Sequence, residues 1–354
     1  MFKSIFISLH YPRYIMIPIP KLLEGINAEM YADRLKTDTP LYDTHVRGYE
    51  IVYTLLDDKP ADLVRAIQEE EILKTRIKCR QGARVTTLPS FWEVWHENDS
   101  GLAEEVLAHA DPNEAKWTLS KKYGYKLATT FMPTYAKSIY EYFQGECVLD
   151  PCAGWGDRML GAVVSTCVKK YVGFDPNRAL IPGYKDIMRR FGHREKTREP
   201  PDTIFEFEET FAPVATQTHV AFNPPVATQT HVAFSNDFEI YAEPFEQGIL
   251  AFPPNSFDFA FTSPPYFDYE DYTPSNPKYR DWLLQFYTPL FKQTCRVLKP
   301  GTFFAIHIGD TSAGQITRFL ETVPQICALR YVSKIGLKGV HSNQIRDVWL
   351  FQKA

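Results

Sequence analysis

The feature that most constrains the fold of this chain is a unit of two short apolar strands separated by a glycine-containing loop and a helix. Glu146 to Asp150 (ECVLD) predicts a buried strand, and Tyr171 to Asp175 (YVGFD) predicts a second one. Between them, PCAGWGDR leads into a helical segment, MLGAVVSTCVKK. A strand, a loop, a helix and a strand form a βαβ unit, whose crossover is right-handed and whose strands are parallel. The sequence therefore predicts an α/β protein built on a parallel sheet.

The rest of the C-terminal half continues this alternation. Apolar runs predict strands at 238–241, 257–261 and 302–308, with a helix between the last two and a turn before the third. Two further strands, at 328–334 and 346–352, are joined across a glycine-containing loop. We expect these two to form an antiparallel pair that closes the sheet.

The length of 354 residues allows two domains, or one large domain with an appendage. Residues 1–120 give mixed signals, whereas the pattern becomes regular from about residue 121. We therefore predict an N-terminal α+β accessory region at 1–120 and a main domain at 121–354. Within the main domain, PVATQTHVAF occurs at 213–222 and again at 225–234. Two copies are too few for a solenoid, so 193–237 is interpreted as an insertion.

The loop after the first strand of the βαβ unit has the residue types of a cofactor site. Gly154 and Gly156 permit positive φ and close approach of a ligand, and the helix that follows offers unpaired amides. Asp175 ends the next strand, where a carboxylate can accept both hydroxyls of a ribose. The loop lacks the third glycine of a pyrophosphate-binding fingerprint, and Asp157 would repel a diphosphate. These features favour a nucleoside cofactor with a cationic tail, which Asp150 or Asp157 can engage.

A second polar turn follows the apolar run at 257–261. Pro264 and Pro265 remove two amide donors and fix two φ angles, so the strand cannot continue through them. In an open α/β sheet, ligands bind outside the carboxyl ends of the strands. The turn is therefore well placed for chemistry, although taken alone Pro-Pro-Tyr is equally consistent with a loop that only ends a strand.

Together these segments resemble the S-adenosylmethionine-dependent amino-methyltransferases that act on nucleobases. DPCAGWG is similar to their cofactor motif, YVGFDPN to the acidic motif that follows, and TSPPYF to their catalytic motif. MPTYAK resembles the helix that closes over the methionine end of the cofactor. The resemblance covers roughly residues 125–354 without the insertion. It implies a Rossmann-like class I methyltransferase fold, with a mainly parallel, doubly wound sheet and a terminal antiparallel strand.

The resemblance also assigns roles to individual residues. In the family, the first side chain of the catalytic motif and the next carbonyl accept hydrogen bonds from an exocyclic amine, and the aromatic residue stacks on the base. By that match Ser263 and Pro264 hold the amine, Pro265 completes the turn, Tyr266 stacks, and Phe267 flanks the base. The implied cofactor-binding residues are Met132, Asp150, Cys152, Ala153, Gly154, Gly156, Asp157, Asp175, Pro176 and Thr262.

An exocyclic amine is a poor nucleophile because its lone pair is delocalised into the ring. Acceptors that localise the lone pair, together with in-line positioning, lower the barrier. We therefore predict methyl transfer from S-adenosylmethionine to the exocyclic amine of a base in DNA, a base that must be flipped out of a duplex. Ser263 slightly favours cytosine N4 over adenine N6. The alternatives are an RNA base amino-methyltransferase and a catalytically inactive nucleic-acid-binding module that retains the fold.

Several residues depart from the family pattern. Cys152 stands where the family usually has Phe. Pro151-Cys152 resembles the Pro-Cys nucleophile of cytosine-C5 methyltransferases, but its place in the cofactor loop argues against covalent catalysis. Asn223 to Val226 (NPPV) imitates the catalytic motif without its aromatic residue. Only about fifty residues follow the predicted strand at 302–308. We therefore expect target recognition to come from residues 1–120, the insertion or a partner.

Charge limits where nucleic acid can bind. The formal net charge is -4 and the pI is near 6.2, so binding must come from a local patch. Four cations alternate with other residues in LKTRIKCR, and period two places them on one face of a strand. The pattern fits phosphate contact and a solvated outer face equally well. The cations of this basic segment are Lys74, Arg76, Lys78 and Arg80, followed by Arg84.

The six cysteines show neither CxxC pairing nor histidine spacing suited to zinc. We expect reduced thiols, an intracellular reducing compartment and no metal. The repeat places His219 and His231 as a matched pair without further ligands, so we expect surface residues. The N-terminal segment 1–21 is broken by charges and prolines, which predicts neither a signal peptide nor a membrane span. The oligomeric state is not predicted.

Overall fold

The structure, a computed structural model, describes residues 35–37, 39–56, 79–81, 130–192, 231–235, 237–266, 270–271, 281–310, 314–340 and 342–354. The strands are β1 (Leu41–Asp43), β2 (Ile51–Thr54), β3 (Arg80–Gln81), β4 (Cys147–Asp150), β5 (Lys170–Phe174), β6 (His231–Ser235), β7 (Phe238–Tyr241), β8 (Phe257–Thr262), β9 (Glu270–Asp271), β10 (Leu298–His307), β11 (Leu329–Lys338) and β12 (Ile345–Lys353). The α-helices are α1 (Pro133–Phe143), α2 (Asp157–Val164), α3 (Ile181–Phe191), α4 (Phe245–Gly248), α5 (Thr288–Val297) and α6 (Gln315–Ile326).

Ten of these strands form one sheet in the order β1-β2-β11-β12-β10-β8-β4-β5-β7-β6. The central strands β7, β5, β4, β8 and β10 are parallel to their neighbours within this set. Strand β12 lies antiparallel between β10 and β11. The sequence prediction of a Rossmann-like class I methyltransferase fold, with a mainly parallel sheet and a terminal antiparallel strand, is confirmed.

Helices cover both faces of this sheet. Val148 of β4 packs in the hydrophobic cluster that contains residues of α1, α2 and α3. The next residue, Leu149, packs in the cluster that contains residues of α4, α5 and α6. Successive side chains of a strand point to opposite faces, and a parallel sheet is buried on both. The central strands therefore read as continuous apolar runs.

Part of the N-terminal region joins the sheet. Strand β2 pairs in parallel with β11, in the register Ile335↔Ile51 to Lys338↔Thr54, and β1 pairs antiparallel with β2. The Tyr53 hydroxyl also donates to the Ser138 carbonyl of α1 at 3.2 Å. Residues 41–54 therefore extend the same sheet as the main domain.

The second copy of the repeat contributes the opposite edge of the sheet. Strand β6 begins at His231 and pairs antiparallel with β7, with a register shift between Ala233 and Ser235. The first copy, together with His219 and the NPPV segment at 223–226, lies outside the described residues.

Two local predictions differ from the structure. Helix α2 ends at Val164, although the sequence predicts a helix as far as Lys170, because Ser165 adopts an extended backbone with φ -71° and ψ 145°. The predicted turn at 298–301 lies within β10, where the register shifts between Leu298 and Phe303 and Gly301 has φ +80°. In the described part of the chain, no helix has both the length and the apolar character needed to cross a membrane.

Candidate active site

Four parallel strands end at the same edge of the sheet, and each ends in or next to a polar side chain. Strand β4 ends at Asp150, β8 at Thr262 and β10 at His307, and Asp175 follows β5 directly. Because the carboxyl ends of parallel strands share one edge, the predicted cofactor loop and the predicted catalytic motif lie side by side.

Asp150 is the centre of the hydrogen bonds that join these strand ends. Its carboxylate is fully buried and accepts from Arg158 Nε and the Tyr171 hydroxyl, each at 2.8 Å. The Thr262 hydroxyl donates to the other oxygen at 2.9 Å, and the Cys152 amide at 3.2 Å. Asp150 thus binds the strand that carries the catalytic motif to the strand that opens the cofactor loop.

The buried Arg158 is a residue that the sequence does not single out. It lies in the first turn of α2 and is 4% exposed. Burial lowers the pKa of its guanidinium, but the Asp150 carboxylate and Tyr171 outweigh this and raise the pKa above its ordinary value. Arg158 also donates to the Cys152 carbonyl. Arg158 is therefore a buried cation that holds the start of the glycine loop in place.

The glycine loop depends on two left-handed residues. Gly154 has φ +60° and Gly156 has φ +87°. A Cβ on Gly156 would lie 2.7 Å from Ile187 Cδ1, whereas a Cβ on Gly154 would meet no atom closer than 3.8 Å. The Tyr184 hydroxyl donates to the Gly154 carbonyl at 2.5 Å. Gly156 is thus required for packing against α3, and Gly154 only for its backbone conformation.

Asp175 connects the glycine loop to the segment after β5. One carboxylate oxygen accepts from the Gly154 amide at 3.0 Å, and the other from the Asn177 amide at 2.8 Å. Burial raises the pKa of Asp175 to about 7, although these two amides act in the opposite direction. Pro176, which follows, is half-buried. The orientation of the carboxylate is therefore fixed by one hydrogen bond from the glycine loop and one from the segment after β5.

The catalytic motif is anchored at both of its ends. Thr262, fully buried, donates to Asp150 and accepts from the Cys152 amide at 3.1 Å. At the other end, the Tyr287 hydroxyl donates to the Pro265 carbonyl at 3.0 Å. Pro264 between them is buried. Phe267 lies outside the described residues.

His307, a second residue that the sequence does not single out, faces the catalytic motif from β10. Its Nδ1 lies 3.2 Å from Ser263 Oγ and 3.2 Å from the Tyr266 hydroxyl. Burial, together with the charges of Arg346 and Arg158, lowers the pKa of His307 to about 3. The imidazole is therefore neutral at physiological pH. The only sequence signal was a histidine near the end of an apolar strand.

The segment before α1 also reaches this site. The Phe131 ring lies 5.3 Å from the His307 ring and 5.4 Å from the Phe261 ring, both in edge-to-face geometry. Met132 is the N-cap residue of α1 and is half-buried against the same hydrophobic cluster. The predicted cofactor-closing helix is thus brought to the catalytic motif.

The surroundings of the Cys152 thiol do not favour its action as a nucleophile. Burial and the Asp150 carboxylate both raise its pKa well above the ordinary value for cysteine. A thiol that stays protonated is a poor nucleophile.

Ala153, the next residue, is buried and its amide donates to the Phe174 carbonyl at 2.8 Å. In the described ranges, no three His, Cys, Asp or Glu residues are grouped so that they could hold a metal ion.

A separate two-stranded sheet joins Arg80, the last of the four alternating cations, to the chain shortly after Tyr266. Strand β3 pairs antiparallel with β9, in the register Arg80↔Asp271 and Gln81↔Glu270. Glu270 is four residues after Tyr266. Of the cations of the basic segment, only Arg80 lies within the described residues, and Lys74, Arg76, Lys78 and Arg84 lie outside them.

No protein-family model and no curated protein matches this sequence. Among solved structures, the chain is similar to TrmN from Thermus thermophilus at 11% identity and a TM-score of 0.35, over 63% of this chain and 49% of that one. It is similar to an rRNA methylase from Streptococcus thermophilus at 11% identity and a TM-score of 0.38, over 64% of this chain and 99% of that one. It is also similar to cofactor-bound Rv0187 from MTB at 10% identity and a TM-score of 0.39, over 74% of this chain and 94% of that one. The chain spans about half the length of TrmN. Similarities of this size say nothing about the substrate or the reaction.

Proposed function

We propose that this protein transfers a methyl group from S-adenosylmethionine to the exocyclic amine of a nucleobase. The observation that carries the proposal is the 2.9 Å hydrogen bond from Thr262 to Asp150. It joins the end of the strand before the catalytic motif to the end of the strand before the glycine loop. A base held by the catalytic motif would therefore face a cofactor held by the glycine loop.

The cofactor residues fit a nucleoside with an amino-acid tail. Asp175 already accepts one amide on each carboxylate oxygen, and an oxygen of this kind can accept a second hydrogen bond from a ribose hydroxyl. Gly154 carries no side chain and a Cβ there would meet no atom closer than 3.8 Å, so a ligand can approach the backbone closely. Asp157, in the first turn of α2, would face the cationic end of the tail. When bound, the cofactor supplies an electrophilic methyl group on a sulfonium.

The catalytic motif fits an amine that must be localised and oriented. Ser263 Oγ and the Pro264 carbonyl accept the two hydrogens of the amine, and Tyr266 stacks on the base. Hydrogen bonds to the amine localise the nitrogen lone pair, and fixed geometry aligns it with the methyl group. His307 lies beside this motif as a neutral ring. No cationic histidine therefore opposes the charge that develops on the amine.

The substrate we favour is a base in DNA, with cytosine N4 slightly ahead of adenine N6 because the motif begins with Ser263. A base in duplex DNA must be flipped out, and the Tyr266 ring then replaces the lost stacking. The β3–β9 pairing supports a nucleic-acid substrate, because it pairs Arg80, the described cation of the basic segment, with Asp271, five residues after Tyr266. We assign catalysis to 121–354 together with the sheet strands at 41–54, and target recognition to the rest of 1–120, to the insertion at 193–237 or to a partner.

Two measurements test the proposal together. Calorimetry measures binding of S-adenosylmethionine, and mass spectrometry identifies methylated nucleosides after incubation of DNA or RNA with labelled cofactor. We expect binding and N4-methylcytosine in DNA. A methylated base in RNA alone would support the RNA alternative, and binding without transfer would support an inactive binding module. A protein that binds no cofactor would contradict the enzyme assignment.

The role of the basic segment has its own test. The dependence of DNA affinity on salt concentration counts the phosphates that a protein contacts. Replacing Arg76 and Lys78 with Gln should make that slope shallower. The matched control replaces Lys169 and Lys299 with Gln, because these exposed cations lie at the amino ends of β5 and β10, on the opposite edge of the sheet. Equal slopes for both double variants would exclude phosphate contact by this segment.

A further inference from the structure

His307 has a place in the site that the resemblance to amino-methyltransferases does not explain. It ends β10, next to β8 in the sheet, and one ring nitrogen lies 3.2 Å from each of two hydroxyls. Those hydroxyls belong to Ser263 and Tyr266, the two side chains assigned to the amine and to the base. A single nitrogen is thus shared by both substrate-facing groups.

The surroundings of His307 fix its charge and its position. The side chain is 8% exposed, and the Phe131 ring packs against it edge to face. Arg158 and Arg346 are the charged groups near it, and both disfavour a second proton on the ring. The ring is therefore neutral, with one nitrogen that carries hydrogen and one that accepts.

The identity of the accepting nitrogen decides what Ser263 can do. If Nδ1 carried the hydrogen, it would donate to Ser263 Oγ, and the serine hydroxyl would point its own hydrogen elsewhere, towards the substrate. If Nδ1 accepts, the serine hydroxyl donates to His307 and its two lone pairs remain for the substrate. An amine offers hydrogens. The first arrangement leaves Ser263 Oγ one lone pair and a hydrogen that opposes the amine, whereas the second leaves two lone pairs and no free hydrogen, so the second is the more complementary.

We propose that His307 is a positioning residue whose Nδ1 accepts hydrogen bonds from Ser263 and Tyr266, so that Ser263 Oγ presents lone pairs to the exocyclic amine. This role rests on the proposed base methylation. The same contact holds the Tyr266 ring in place. Gly309 allows that position, because a Cβ there would lie 3.2 Å from Tyr266 Cε1.

The first test reads the tautomer and needs no activity. In protein labelled with ¹⁵N-histidine, the nitrogen shifts distinguish a protonated ring nitrogen from an unprotonated one, and the His307→Asn variant identifies the signals of His307. At neutral pH we expect Nδ1 to be unprotonated and Nε2 to carry the hydrogen. A protonated Nδ1 would overturn the proposal.

The second test is a double-mutant cycle on the rate of methyl transfer in a single turnover. Loss of one aligned hydrogen bond predicts that His307→Leu lowers the rate about tenfold in the wild-type background and less than about twofold in the Ser263→Ala background. His307→Asn, which retains an acceptor close to the position of Nδ1, should recover most of the rate. Equal losses in the two backgrounds would mean that His307 is only structural and would overturn the proposal.

Two controls separate this inference from the proposed function. Cofactor affinity and the circular dichroism spectrum should be unchanged in His307→Asn, which shows that the fold is intact. Should His307→Leu not fold, the cycle is run with His307→Phe, which keeps a ring against Phe131 but removes the acceptor, in the wild-type and Ser263→Ala backgrounds. The two losses should again be non-additive. A wild-type protein that methylates no base refutes the proposed function, and the tautomer then decides the role of His307. If the wild-type protein methylates a base but the effects of the variants are additive, only the role of His307 is refuted.

Discussion

Arg158 and Asp150 form an ion pair inside the protein, with Nε 2.8 Å from a carboxylate oxygen and side-chain exposures of 5% and 0%. Asp150 ends β4 directly before the glycine loop, and it accepts a hydrogen bond from Thr262, the residue directly before Ser263. Removal of one member leaves a buried charge without its partner, which costs about 3–5 kcal/mol.

The first prediction follows from this pair. Asp150→Asn should lower the free energy of unfolding by about 3–5 kcal/mol in a urea titration. The control is Glu146→Gln, which breaks the exposed pair with Lys169 and should change stability by less than about 1 kcal/mol. Similar losses for the two variants would mean that Arg158 finds another acceptor.

The second prediction compares the two glycines of the loop. Gly154→Ala should cost about 1–2 kcal/mol, because only the left-handed backbone opposes the new Cβ. Gly156→Ala should cost at least about 1 kcal/mol more, because its Cβ also meets Ile187 at 2.7 Å and Tyr184 at 3.3 Å. Thermal unfolding of the two variants in parallel checks the difference. Equal destabilisation would show that α3 moves aside without cost.

The third prediction concerns the pH dependence of cofactor binding. In the proposed function Asp175 would accept both ribose hydroxyls, which only its ionised form can do, and burial raises its pKa to about 7. The affinity is therefore fully present above that pKa and is lost as the pH falls through it. Calorimetry should show binding about tenfold weaker at pH ~6 than at pH ~8. Asp175→Asn should bind weakly and lose this step, and retention of the step would assign it to another group.

The fourth prediction separates the base from the cofactor. Tyr266→Ala should abolish methyl transfer, because the stacking surface is lost, while the affinity for S-adenosylmethionine stays within about twofold. Tyr266→Phe should retain stacking and most of the transfer. Measured transfer rates and calorimetric affinities decide the matter, and a joint loss of transfer and cofactor binding in Tyr266→Ala would contradict the assigned role.

The βαβ unit and the turn at Pro264-Pro265 could be predicted from the sequence because both are local patterns. A buried strand reads as an apolar run, and two prolines end a strand wherever they occur. The right-handed crossover and the antiparallel pair at the C-terminus also follow from general rules, whereas the order of the strands came from the structure alone. These elements carry the glycine loop and the motif to which the proposed function assigns cofactor binding and catalysis.

Arg158, His307 and the β3–β9 pairing could not be predicted in the same way, because each depends on a partner distant in sequence. In the sequence Arg158 looks like an ordinary cation of a helix, because its ion pair with Asp150 is visible only in the structure. His307 meets Ser263 only when β10 lies beside β8. Arg80 and Asp271 pair across about 190 residues, and the sequence around either residue alone does not indicate the other.

The pairing of β2 with β11 has a consequence for any attempt to isolate residues 121–354. Without β2, the backbone groups of β11 that pair with residues 51–54 would face solvent as a bare strand edge. Edges of this kind recruit strands from other molecules and promote aggregation. The segment at 41–54 therefore acts as an edge guard, and a fragment that begins after it should precipitate or form oligomers even if its core is complete.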